Sequence, residues 1–181
     1  MTAGRSGTIV QHSASTVVCL VGSVPERVRR VLGAHTTYVV HDDDPLAPVA
    51  DAWVRLFEDH GAIGELEVRV AETVARWRAR TLELPDYYLV TGVAELSDTR
   101  RHWYFGALHA AAPHRVVPVD PEAARVLGTL EALAPGRWWP PLDQLLEGIE
   151  HVAPDVVGTP TDNQVTVAAA GGAAGILGSA P

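Results

Sequence analysis

The sequence predicts an α/β protein: a Rossmann-like three-layer sandwich with a mostly parallel four-stranded sheet, order 2-1-3-4, and helices on both faces. Three observations predict it. Short apolar runs such as Thr16-Val-Val-Cys-Leu-Val21 lack a polar alternation, as strands covered on both faces do. Segments with apolar residues at helical spacing separate these runs. Strand ends pass into glycine or polar loops, so the loops at the carboxyl ends gather where α/β sheets hold ligands.

The first strand, Thr16–Val21, stops at Gly22. Ser23-Val-Pro-Glu26 has the form of a capping box, and Val24, Val28, Val31 and Leu32 give the next helix one apolar stripe before Gly33 closes it. Thr36–Val40 is the second strand, followed by the loop His41-Asp-Asp-Asp-Pro45. Leu46, Val49, Ala50, Trp53, Leu56 and Phe57 then recur at helical spacing, to about His60. After a break at residues 61–64, a longer helix presents Leu66, Val70, Val74 and Trp77 inward. Asp86–Val90 is the third strand, and a helix from about Asp98 to Ala111 follows the turn at residues 92–97. Arg115–Val119 is the fourth strand, placed at an edge because Pro118 cannot donate to a ladder. Asp120-Pro-Glu122 starts another helix, and a last one from about Pro141 to Val152 buries Leu142, Leu145, Leu146 and Ile149. Residues 1–15 are expected to be a flexible arm, 16–153 the domain, and 154–181 a flexible Gly/Ala-rich tail.

Composition narrows the function. The net charge of −8 argues against duplex nucleic acid, which needs a concentrated basic face. No apolar run approaches the roughly 20 residues that span a bilayer, and the polar start is unlike a secretory signal. A cytoplasmic protein is expected. All 14 basic residues are arginines, so no Walker lysine, Schiff-base lysine or lysine general base exists. The lone Cys19 cannot form an internal disulfide and reads as a small buried hydrophobe. No zinc-type set of cysteines and histidines occurs, so neither a metal nor a cofactor is expected. Asp42, Asp43 and Asp44 read as a solvated loop rather than a cation site.

In the order 2-1-3-4 the sheet reverses direction between the first and third strands. Gly22-Ser23 and Thr91-Gly92 would flank the crevice there, with Asp42 at its rim. Thr91 offers a hydroxyl, and Gly92 lets a ligand approach the backbone. Arg100 or Arg101 would clamp a phosphate, and His102 would donate a further bond. The absence of G-x-G-x-x-G after the first strand argues against ordinary dinucleotide binding. Trp138-Trp139 packs over the sheet edge or contacts a partner.

The run Val17-Val-Cys-Leu-Val-Gly-Ser23 with its proline-started helix, and the later strand ending in Thr91-Gly92, resemble the CARF domains. These are Rossmann-like sensors of cyclic oligoadenylates found with CRISPR systems. The likeness covers about residues 16 to 119 and implies a bacterial nucleotide sensor. That family's second loop typically reads Thr-Gly-Gly-Thr-Lys, whereas this chain has Thr91-Gly-Val-Ala-Glu95.

Three functions follow as expectations. The first is a regulatory or sensing module that binds a small anionic ligand or nucleotide at Gly22, Ser23, Asp42, Thr91, Gly92, Arg100, Arg101 and His102. The second is a small hydrolase or transferase using Asp42, Asp98 or His102 as acid or base. The third is a non-catalytic scaffold or partner subunit, with a protein partner or a homodimer, contacting through Trp138, Trp139 and the tail.

Overall fold

The apolar run at the start of the domain forms β1, Thr16–Val21, at the centre of the sheet. It pairs in parallel with β2, Tyr38–His41, on one side and with β3, Tyr87–Val90, on the other. β4, Val116–Pro118, adds in parallel to β3 and forms the far edge, where Pro118 is tolerated. The order is β2-β1-β3-β4, as the strand pattern predicts. A computed structural model describes residues 16–26, 28, 38–58, 60–134 and 139–154. The expected arm and tail lie outside the described residues, apart from Pro154, as do Trp138 and most of the helix after β1, including Val31, Leu32 and Gly33.

Alternation along the central strands sends side chains to two separate cores. Val18, Leu20, Tyr87 and Leu89 meet Val24, Val28 and α4, Ala123–Ala132, through its Val126 and Leu130. Cys19, Tyr88, Val90 and Val116 point to the opposite face. Four helical elements cover that face: α1, Ala47–Phe57; α2, Ile63–Arg78; α3, which starts at Asp98–His102; and α5, Leu142–Leu146. The result is a three-layer α/β fold. Trp53 on α1 is the hub of the larger core, fully buried, tilted against Trp103 at 5.7 Å and bonded through Nε1 to the Ile149 carbonyl at 2.9 Å. Burial of each such side chain contributes about 1.5–3 kcal/mol.

Two elements differ from the expected pattern. The helix from Asp98 does reach Ala111, but its middle, Trp103–Leu108, is π-helical before a last α-helical turn at His109–Ala111. Trp103, Tyr104, Ala107 and Leu108 of that stretch are buried. The expected final helix is interrupted: α5 ends at Leu146, Gly148 is left-handed with φ 69°, and a 3-10 turn follows at Ile149–His151. The apolar spacing continues through the break, so Leu142, Leu145, Leu146 and Ile149 are all buried as expected. Among the described residues no helix is long and apolar enough to cross a membrane.

Cys19 is buried completely. Burial, reinforced by the nearby Asp44, Asp43 and Asp42 carboxylates, raises its thiol far above the ordinary range. A thiol reagent at neutral pH is therefore expected to label the native chain negligibly and the denatured chain fully. Rapid labelling of folded protein, followed by absorbance, would contradict this core.

Candidate functional site

The carboxyl tips of β1 and β3 stand side by side, with Val21 opposite Val90. Gly22 follows with φ 92°, a conformation that a side chain strongly disfavours. A Cβ on Gly22 would sit on the backbone carbonyl oxygen of Thr91. Thr91 itself is fully buried, and its single hydroxyl proton is shared between the carbonyls of Val21 at 3.0 Å and Ser23 at 3.1 Å. The backbone amide of Thr91 donates to Val21 as well. The sequence-predicted neighbours Gly22, Ser23 and Thr91 therefore do come together. Thr91, however, joins the two tips and does not project toward solvent. Gly22 and Ser23 are exposed, while Gly92, left-handed with φ 60°, is partly so.

The basic residues on the next helix have separate duties. Ser97 caps α3 by accepting the Arg100 amide at 3.2 Å, so that amide is occupied. Arg101 donates to the carbonyls of Val93 at 3.3 Å and Leu96 at 3.2 Å, and pairs with Asp98 at 3.0 Å. It clamps the 3-10 turn Val93–Glu95 to the helix. The Arg100 guanidinium reaches across to Asp51 on α1. His102 lies flat against Trp53, with ring centroids 6.1 Å apart and planes within 8°. It also covers Gly106, where an added Cβ would fall 2.5 Å from His102 Nε2. Asp42 is exposed beyond β2, two residues before a half-buried acid.

That acid is Asp44, for which the sequence predicts a solvated loop. Its Oδ1 accepts from the Leu46 amide and from the Tyr88 hydroxyl, at 2.8 and 2.9 Å. Its Oδ2 accepts from the Tyr104 hydroxyl at 2.9 Å. One carboxyl group thus ties the β2–α1 loop to β3 and to the π-helical stretch. The Asx turn onto Leu46 was foreshadowed by Asp44-Pro45, whereas the tyrosines lie too far along the chain to be paired with it by inspection. Burial raises the Asp44 pKa above the usual carboxylate value; the Leu46 amide, both tyrosines and the Arg100 charge pull the other way but do not prevail. Burial and the Asp44 charge also raise both tyrosine hydroxyls, which remain protonated donors.

Asp44 borders an open groove of about 540 Å³, lined also by His41, Asp43, Arg76, Thr81 and Glu83. Trp139 is a packing residue here: it meets Tyr88 edge-on at 5.8 Å and donates through Nε1 to the Pro85 carbonyl at 2.8 Å. Among the described residues no group of three or more potential ligands is arranged to hold a metal ion. No protein-family model matches the chain, no curated protein matches it, and no solved structure matches it.

Proposed function

We propose that this chain is a regulatory or sensing module that binds a small anionic ligand, such as a nucleotide, on the rim formed by Gly22, Ser23 and Gly92. The observation that carries the reading is the parallel, side-by-side ending of β1 and β3, which makes this rim the switch point of the sheet. The resemblance to CARF domains belongs to the same proposal. Arg100 is the anion-binding side chain in it. Its present partner Asp51 is about half exposed, and such pairs contribute only about 0–1 kcal/mol, so an anion can replace the carboxylate. Arg101 keeps its structural duty, and Thr91 and His102 act as positioning residues.

The same arginine supplies the signal. Its charge favours ionised Asp44, which holds Tyr88 and Tyr104. Drawing Arg100 toward a ligand weakens that hold and biases the β2–α1 loop and the π-helical stretch between two arrangements. Isothermal titration with inorganic phosphate, mononucleotides and cyclic dinucleotides tests the reading. Arg100→Ala is expected to weaken binding about tenfold or more, as loss of a charge-assisted contact does. Asp51→Ala, which frees Arg100, is expected to tighten it by up to about fivefold. Equal affinities in all three proteins, or no binding by any of these anions, would rule the site out.

A partner-subunit reading is favoured by a different feature, an apolar groove between α2 and α5. The hydrolase reading finds less support. Asp98 is almost fully exposed and paired with Arg101, His102 is stacked on Trp53, and Asp42 stands beyond another strand.

A further inference from the structure

The outer side of α2 carries apolar residues among its charged ones, Glu67, Glu72, Arg76 and Arg78. Ile63 and Val68 are each about half exposed, at 50% and 54%, and Ala71 and Ala75 are exposed beside them. Next to this face, α2 and α5 enclose an open groove of about 450 Å³. Its floor is Leu66, Val70 and Val74, one turn apart along α2, with Leu146 from α5. The row runs from residue 66 to residue 74, eight helical steps or about 12 Å of helix. Such a furrow accepts the ridge of another helix.

Charge identifies the occupant. The groove carries Glu67, Asp143, Glu147 and Glu150 against the single cation Arg78, and Arg78 already pairs with Asp143 at 3.0 Å. A second copy seated face to face through this groove would set these carboxylates against their own kind. The chain's own terminal segments do not complement them either: residues 155–181 contain no arginine or lysine, and residues 1–15 contain only Arg5. An anionic membrane or a nucleic acid would be repelled.

We infer that the α2–α5 groove docks a basic amphipathic helix of a partner protein, its apolar stripe on Val70, Val74 and Leu146 and its cations against Glu67, Glu147 and Glu150. This surface is independent of the proposed ligand rim, and either can fail without the other.

The test uses the full chain and two labelled helical peptides with the same leucine stripe, one flanked by arginine and lysine, the other by glutamate. Fluorescence anisotropy should show the basic peptide binding at least about tenfold more tightly, with the preference shrinking as salt rises. The double variant Glu67→Arg/Glu147→Arg changes two exposed positions and should retain the native unfolding transition. It should reverse the preference between the peptides. Equal affinity for both, a preference unmoved by the charge reversal, or no binding up to about 1 mM peptide would overturn the inference. Dimerisation of the chain abolished by the double variant would also overturn it, since the groove would then hold a second copy.

Discussion

Alanine at position 22 is expected to destabilise the domain by at least about 3 kcal/mol, enough to leave much of a marginal protein unfolded. Two costs add. Gly22 has φ 92°, where a side chain is strained by about 1–3 kcal/mol. The new methyl group also falls on the Thr91 carbonyl oxygen, a backbone atom held by the pairing of β1 with β3. Relief requires the two strand tips to separate, which lengthens the Thr91 hydroxyl bonds to Val21 and Ser23. Urea denaturation would report it as a lower midpoint at unchanged slope. A Gly22→Ala protein within about 0.5 kcal/mol of the parent would show that the tips are not packed together in this way.

The second large effect is at Asp44. Alanine there is expected to cost about 2–4 kcal/mol, because the hydroxyls of Tyr88 and Tyr104 and the Leu46 amide lose their acceptor together. Asparagine is expected to cost less than about 1 kcal/mol: its carbonyl still accepts, and a tyrosine hydroxyl can turn to accept from its amide. The two variants also separate charge from bonding. Since burial raises the folded-state pKa of Asp44, its protonated form is favoured by folding. That contribution is complete below the unfolded value of about 4 and is lost as pH rises through the folded value. The stability of the parent relative to Asp44→Asn should therefore fall as pH increases from about 4 toward neutrality, and then level off. A flat difference, or one that grows with pH, would mean that Asp44 is not desolvated.

The contrast between Gly22 and Asp44 shows what a sequence exposes. Strand order was legible because the β1 and β3 segments are apolar throughout, and Pro118 fits only an edge. Gly22 was legible as a strand end, but its contact with Thr91 was not, because that contact joins residues 69 apart. Thr91 was expected to offer its hydroxyl to a ligand; the carbonyls of Val21 and Ser23 claim it instead. The three aspartates at 42–44 have identical chemistry, and only the folded positions of Tyr88 and Tyr104 single out Asp44. Arg100 and Arg101 are likewise adjacent in sequence. Yet one crosses to α1 and the other clamps its own helix start. Gly148 was visible, but the unbroken apolar spacing of Leu142, Leu145, Leu146 and Ile149 around it masked the stop.

The most direct measurement is a titration of the ¹⁵N-labelled chain with the tightest-binding nucleotide, following backbone amides by NMR. The amides of Gly22, Ser23 and Gly92 should move first and saturably, with the Arg100 side chain and the Tyr104 region shifting in step. Shifts confined to the groove beside His41 and Arg76, or an unchanged spectrum at saturating nucleotide, would place the ligand elsewhere or remove it altogether.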